Sequence, residues 1–208
     1  MPKKLFAVLI ILAVIIAGFL FIQKQNKPDL EQKTQSPTLF NKNDYQIEDH
    51  VDGKYIVVEK AGLTAKVPDG WTIEIQGDDY PEPEYWVNLY SPDAQIETIL
   101  KQGCGVSVMA GIAPDAVQDI KNNVALLQAN LSADITAPAD YEFEVAKIGN
   151  YQGVKWLSAQ NETIGQFAGI DIPIEDDLLI SFDTAFPPGY KETCLLIWEQ
   201  FIKSVLIQ

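Results

Sequence analysis

The sequence predicts an α+β domain in which helices pack on an antiparallel β-sheet, and three observations lead to this fold class. Short runs of β-branched and aromatic residues follow one another from about residue 45, with turn residues between them. Most connections between these runs are short, which favours antiparallel pairing. Two longer stretches repeat apolar residues every three or four positions, which indicates helices with one buried side. Packing such helices on an antiparallel sheet buries both patterns.

The chain begins with an apolar segment that is long enough to cross a membrane. Residues Leu5 to Ile22 form eighteen consecutive positions without a polar or charged side chain. A helix of this length measures about 27 Å, close to the hydrocarbon thickness of a bilayer. Lys3 and Lys4 precede it, and basic residues favour the cytoplasmic side. We predict a cytoplasmic N-terminus at residues 1–4, a transmembrane helix at 5–22 and a C-terminal domain on the outer side.

A cleaved secretory signal is the alternative interpretation of this segment. The apolar region of such a signal usually has about 7–15 residues and ends at a small-residue cleavage site. Here the run is longer, and Ile15 and Ile16 stand where a small residue is needed before a cut near Ala17 or Gly18. The pattern favours an uncleaved signal-anchor of a single-pass cell-membrane protein.

The composition after this segment changes twice. Residues 23–43 are polar and include Pro28 and Pro37, which predicts a hydrated linker. Residues 44–208 carry 27 Asp and Glu against 9 Lys, a net charge near −18, and the chain has no Arg. Nucleic-acid binding depends on Lys and Arg that neutralise phosphates. We therefore expect an acidic extracytoplasmic domain that has no nucleic-acid partner.

Strands are predicted wherever short apolar or alternating runs end at turn residues. The run GLTAKV and the run WTIEI flank Asp69-Gly70, and this predicts a hairpin at that turn. A second hairpin is predicted at Gly149-Asn150, between YEFEVAKI and YQGVKWLSA. The remaining predicted strands are YIVVEK, YWVNLYS, CGVSVMAG, FAGIDIPI and LLISFDTAF.

Two helices are predicted from apolar residues at helical spacing. The first opens at Pro114 and Asp115, because Pro is well tolerated at the first helical position. Its buried side consists of Val117, Ile120, Val124, Leu127 and Leu131. The second follows Pro187-Pro188-Gly189 and reaches the end of the chain. Its apolar side consists of Cys194, Ile197, Trp198, Phe201, Ile202 and Val205.

This succession of motifs resembles the PsbP-like family, relatives of an extrinsic photosystem II subunit whose fold is shared with the Ran-binding Mog protein. The motifs are GLTAKVPDGWTIEI, VNLYSPD, VSVMAG, a helix, IGNYQGVKW and a terminal helix ending FIKSVLI, from about residue 55 to the end. The resemblance implies an α/β/α sandwich and a module that docks on other proteins, with no shared catalytic motif. The predicted anchor and acidic domain differ from the photosynthetic members, so we expect a membrane-anchored non-photosynthetic relative.

The sequence does not predict an enzyme or a bound cofactor. His50 is the only histidine, and no nucleophile-elbow motif accompanies it. One His and two distant Cys do not have the spacing of a zinc site. The chain also lacks a Walker or Rossmann glycine loop. We expect no catalytic residue and interpret His50 as an exposed side chain.

Two acidic loops are weak candidates for a cation site. The first contains Asp78, Asp79, Glu82 and Glu84, and the second contains residues 175–177, which are Glu, Asp and Asp. Calcium prefers six to eight oxygen ligands, which such loops can offer. Neither loop has the EF-hand spacing, so a solvated turn is the favoured interpretation of both.

The first acidic loop also carries aromatic residues that are candidates for binding a partner. Tyr80 and Trp86 stand out because exposed aromatic residues often anchor protein interfaces. The alternative interpretation is that Trp86 begins a strand and points inward.

Cys104 and Cys194 are the only cysteines in the chain. In an oxidising compartment such a pair can form a disulfide. Two buried thiols that behave as small apolar side chains are the alternative.

We therefore predict a non-catalytic binding or scaffolding module at the cell membrane, which docks on another protein or membrane complex. The alternative is a hydrolase, or a receptor that binds a small molecule or cation through acidic residues. A pocket lined by convergent polar groups with shifted pKa values would favour the alternative. An exposed apolar patch would favour docking.

Overall fold

The computed structural model describes residues 40–78, 84–135, 141–161 and 165–208. Its strands pair antiparallel, and two α-helices are found within those ranges, so the predicted α+β class is confirmed. The predicted transmembrane helix at 5–22 and most of the predicted linker at 23–43 lie outside the described residues. Within the described ranges, no helix is both long and apolar enough to span a bilayer.

The strands of the large sheet are β4 (Thr72–Asp78), β5 (Glu84–Tyr90), β8 (Gly105–Ile112), β9 (Glu142–Ile148), β10 (Tyr151–Leu157), β11 (Gln166–Pro173) and β12 (Leu178–Phe186). Their order in the sheet is β4-β5-β8-β12-β11-β10-β9, and each pairing is antiparallel. Because successive side chains of a strand point to opposite faces, alternate residues of each strand lie on the same face of the sheet.

The strands of the small sheet are β1 (Gln46–His50), β2 (Gly53–Val58), β3 (Leu63–Lys66) and β13 (Leu206–Ile207). Their order is β1-β2-β3-β13, and the pairing is again antiparallel. A separate hairpin, β6 (Gln95–Ile96) with β7 (Leu100–Gln102), lies between β5 and β8 in the chain.

The two helices are α1 (Pro114–Gln128) and α2 (Lys191–Lys203). The prediction that the second helix reaches the end of the chain is wrong, because α2 ends at Lys203 and Leu206–Ile207 pair with β3 as strand β13. Helix α1 begins at Pro114 as predicted. It ends before Asn130, which has φ +59° and closes the helix in the left-handed conformation that Asn tolerates. Leu131, which the sequence pattern placed on the buried side, therefore lies beyond the helix and is 47% exposed.

The main core lies between one face of the large sheet, the small sheet and α2. Fully buried Phe182 from β12 packs here with Trp198 and Phe201 from α2 and Leu63 from β3. The opposite face of the large sheet carries a smaller cluster in which Ile120 and Val124 of α1 contact strand residues. The large sheet thus has α1 on one face, and α2 with the small sheet on the other.

The hairpin predicted at Asp69-Gly70 is wrong, because β3 and β4 belong to different sheets. Strand β3 pairs with β2, whereas β4 pairs with β5. The backbone N–H of Trp71 donates to Pro68 O at 3.2 Å, and this turn carries the chain from the small sheet to the large one. Leu63 and Ala65 contribute to the main core from the small sheet, and Ile73 and Ile75 pack against it from the large sheet.

The hairpin predicted at Gly149-Asn150 is present, with Ile148 paired to Tyr151. Gly149 has φ +58° at the first position of the two-residue turn. This backbone conformation costs glycine little and matches the twist of the flanking strands.

The packed domain begins earlier than the predicted boundary at residue 44. Phe40, which was placed in the linker, is only 5% exposed and belongs to the main core. Tyr45 is also buried, and its hydroxyl lies 2.7 Å from Tyr85 O and 3.1 Å from Ala110 O. These contacts attach the start of the domain to the large sheet.

Candidate ligand-binding site

The candidate site lies on the face of the large sheet that α1 covers only in part. Leu179 and Val154 of the sheet pack against α1. Further along the same face, a cavity of about 510 Å³ remains between the sheet and the β6–β7 hairpin. Ile96, Ile99 and Leu100 from the hairpin segment form one wall.

A row of polar side chains crosses the floor of the cavity. Asn88 of β5 pairs with Ser107 of β8, and Ser107 pairs with Asp183 of β12, so the three residues lie side by side. Ser107 Oγ donates to Asn88 Oδ1 at 2.5 Å. Because strand residues alternate between faces, their neighbours Val87, Val106 and Phe182 enter the main core instead.

Aromatic side chains form the rest of the lining. Trp86 and Tyr90 come from β5, Trp156 from β10 and Phe167 from β11, and Tyr141 precedes β9. The rings of Tyr141 and Trp156 have centroids 5.9 Å apart. The cavity thus combines large π faces with a few convergent polar groups, as small-molecule sites usually do.

Gly169 of β11 makes the arrangement of Trp156 and Asp183 sterically feasible. It pairs with Trp156 on one side and with Asp183 on the other. A Cβ at this position would collide with the Trp156 ring and with Asp183 Oδ1. The indole and the carboxylate therefore occupy the space that a side chain would take.

We expect Gly169→Ala to destabilise the protein by about 1–3 kcal/mol, because the added methyl group overpacks the site. The displacement of Trp156 should also change the tryptophan fluorescence of the folded state. Gly111→Ala is a matched control on the same sheet face, since a Cβ there would have no neighbour within 4 Å. Equal urea midpoints for the two variants would contradict the steric role of Gly169.

Asp171 is a partly buried carboxylate, and each of its two oxygens accepts a hydrogen bond. Oδ1 accepts a hydrogen bond from Ser181 Oγ at 2.6 Å, and Oδ2 accepts one from Trp156 Nε1 at 3.0 Å. Burial raises the pKa of Asp171, while the two hydrogen bonds partly oppose this rise. The bond to Trp156 also holds the indole ring in place at the cavity wall.

Asp183 differs from Asp171 because its carboxylate lines the cavity. Burial, together with the nearby charge of Asp171, raises the pKa of Asp183 to about 7. Within the described part of the chain, its side chain has no hydrogen-bond partner. A carboxylate in this position can accept a ligand's hydrogen bond, pair with a positive charge, or exchange a proton near neutral pH.

The structure places one of the two predicted aromatic binding residues in this site. Trp86 lies in β5 and lines the cavity. Tyr80 lies outside the described residues, as do Asp79 and Glu82 of the same loop. Asp78 and Glu84 pair with each other through the backbone at the ends of β4 and β5.

The second acidic loop is an exposed turn between β11 and β12. The Asp176 side chain forms an ion pair with Lys121 of α1 at 3.0 Å. Across residues 40–78, 84–135, 141–161 and 165–208, no group of three or more His, Cys, Asp or Glu side chains could hold a metal ion.

His50 is the last residue of β1. Its side chain is 49% exposed, and Nε2 lies 3.0 Å from Glu48 Oε2. It does not line the cavity.

The two cysteines form a disulfide that attaches α2 to the start of β8. Cys104 directly precedes β8, and Cys194 lies in the first half of α2. Their Cα atoms are 5.3 Å apart, within the usual range for a disulfide. The backbone of Cys104 is also hydrogen-bonded to Ser91, which follows β5.

Sequence reasoning did not identify Asn88, Ser107, Asp183 or Trp156 as site residues. One local signal was available. Asp183 and Asp171 each interrupt an otherwise apolar strand, in ISFDTAF and FAGIDIPI. A carboxylate within a buried strand is costly unless it is paired or functional.

The fold and the cavity together define this chain as an α+β domain with a ligand-sized pocket on an antiparallel sheet. No protein-family model and no curated protein sequence matches it. Solved structures resemble it only distantly. The solution structure of cyanobacterial PsbP (CyanoP) from Synechocystis sp. PCC 6803 has 13% identity and a TM-score of 0.41, covering 79% of this chain and 93% of that chain.

A crystal structure from Bacteroides thetaiotaomicron VPI-5482 has 13% identity and a TM-score of 0.39. The match covers 71% of this chain, which spans 45% of the length of that structure. Similarity at this level does not carry a function over to this chain.

Proposed function

We propose that this protein is a membrane-anchored binding protein whose extracytoplasmic domain holds a small molecule in the cavity of the large sheet. The observation that carries the proposal is the cavity itself, which has a volume of about 510 Å³. Ligand pockets typically measure about 300–1,000 Å³ and combine apolar walls with a few polar groups. The accessible carboxylate of Asp183 and the surrounding aromatic rings fit this description.

A non-catalytic role is supported by the way the two carboxylates are used. Among the described residues that line the cavity, Asp183 is the one carboxylate. The two carboxylate oxygens of Asp171 accept hydrogen bonds from Ser181 and Trp156. Hydrolysis by paired carboxylates needs two such groups on opposite sides of the bond that breaks. The site is therefore better suited to binding than to this chemistry.

The membrane location of the proposal rests on the apolar run at residues 5–22 and on Lys3 and Lys4. Protease treatment of intact cells tests it, because an extracytoplasmic domain would be digested while the N-terminus stays protected.

Docking on another protein, the function first predicted from the sequence, is a second proposal. Crosslinking in native membranes followed by partner identification tests it.

A cavity-filling substitution tests the binding proposal. Ala185 of β12 lines the cavity, so Ala185→Trp should fill it. We expect small molecules that raise the melting temperature of the wild-type protein in a library screen to lose at least 90% of this effect in the variant. Ala125→Trp, on the exposed side of α1, is the matched control and should keep it. Ligands that stabilise Ala185→Trp as well as wild type, or a library without any stabilising compound, would overturn the proposal.

A further inference from the structure

We propose that the ligand of this cavity is an organic cation, an amine or quaternary ammonium compound whose charged group lies against Asp183. This inference rests on the proposed binding function and specifies the chemical class of the ligand. The apolar part of the molecule would contact the aromatic walls.

The charges of the lining favour a positive ligand. Among the described residues that line the cavity, Asp183 is acidic and none is a lysine, and the chain contains no arginine. An anion would face Asp183, and Asp171 behind it, without a compensating positive charge. A neutral ligand would leave the partly buried carboxylate without a counter-charge, whereas a cation would supply one.

The aromatic rings lie where such a cation would need them. Trp156 and Asp183 meet over Gly169, so a group that contacts Asp183 Oδ1 also meets the indole ring. The hydrogen bond from Trp156 Nε1 to Asp171 fixes this ring before any ligand binds. Trp86 and Tyr90 add rings from β5. Aromatic rings attract ammonium groups through their negative faces, and tryptophan does so most strongly.

Binding should depend on pH because the cation pairs with the ionised carboxylate. The titratable groups that face Asp183 are Asp171 from β11 and, across the cavity, Tyr90 and Tyr141; the described part of the β6–β7 hairpin adds no charged side chain to the lining. Asp183, with its pKa raised to about 7, is mostly protonated at pH 6 and mostly ionised at pH 8. We expect affinity to rise about tenfold between these values.

The experiment compares cations with neutral molecules of the same shape on the full chain in detergent. The probes are choline against 3,3-dimethyl-1-butanol, and phenethylamine against phenethyl alcohol, measured by isothermal titration calorimetry at pH 8. At least one cation should bind tenfold more tightly than its neutral counterpart. Asp183→Asn should reduce this preference below threefold, and Asp119→Asn, an exposed carboxylate on α1, should leave it unchanged.

Each outcome separates this inference from the proposed function. If neutral probes bind as tightly as cations, and Ala185→Trp abolishes that binding, the pocket binds small molecules but the cation inference is wrong. If Asp183→Asn keeps the full preference for cations, the inference is also wrong. If neither these probes nor the library screen yields a ligand that Ala185→Trp excludes, both proposals fail.

Discussion

Asp183→Asn is expected to remove a large pH dependence from the stability of this protein. In the folded state, burial and the charge of Asp171 raise the pKa of Asp183 to about 7, while the unfolded chain has the ordinary value of about 3.9. Below pH 4 both states hold the proton, and the full stability is present. Between pH 4 and pH 7 the Asp183 carboxyl has lost its proton only in the unfolded state, so the free energy of unfolding falls as the pH rises.

The expected size of this effect follows from the difference between the two pKa values. Relative to Asp183→Asn, the wild-type free energy of unfolding should fall by roughly 4 kcal/mol between pH 4 and pH 8. Urea unfolding of both proteins across this range measures it. Asp119→Asn removes an exposed carboxylate and should follow the wild-type curve. Parallel curves for wild type and Asp183→Asn would show that Asp183 ionises normally in the folded state.

Loss of the disulfide is expected to have an effect of similar size. The bridge between Cys104 and Cys194 closes a loop of 90 residues. In the chain-entropy model, a crosslink of this length stabilises a protein by about 4–5 kcal/mol, because it restricts the unfolded state. We expect Cys104→Ala/Cys194→Ala to lose this amount in urea unfolding, and the wild-type protein to lose a similar amount on reduction.

Two controls make the disulfide prediction specific. A reductant should not change the stability of the double alanine variant, because that variant contains no other cysteine. Denatured wild-type protein should have no free thiol without reductant and two after reduction, since both cysteines are in the bridge. Two free thiols in the unreduced, denatured protein would contradict the bridge.

Asp183 connects the stability of the protein with its proposed binding function. A partly buried carboxylate beside a second carboxylate lowers stability at neutral pH, and asparagine would avoid this cost. Residues that oppose stability in this way are concentrated at functional sites. A variant that is more stable at pH 8 and no longer prefers cations would connect the two effects in one residue.

Much of the secondary structure could be predicted because its signals are local. The apolar run LLISFDTAF and the spacing of Val117, Ile120 and Val124 predicted β12 and α1, and both are present. Gly149-Asn150 predicted its hairpin, since the turn itself determines how its flanking strands pair. The turn at Asp69-Gly70 has the same local appearance. Its two flanking strands nevertheless belong to different sheets, and both contribute side chains to the core between these sheets.

The sequence by itself determined the α+β class, the acidic composition, most of the strands and the presence of the two helices, because these follow from composition and from periods of about two and 3.6 residues. Strands β1, β6, β7 and β13 were not predicted. Only the tertiary structure decided where the cavity lies. Asn88, Ser107 and Asp183 are far apart in the chain and become neighbours because β8 inserts between β5 and β12 in the sheet. Strand order and register are set by hydrogen bonds and core packing between distant segments. This non-local pairing brings Asn88, Ser107 and Asp183 into the lining of one cavity.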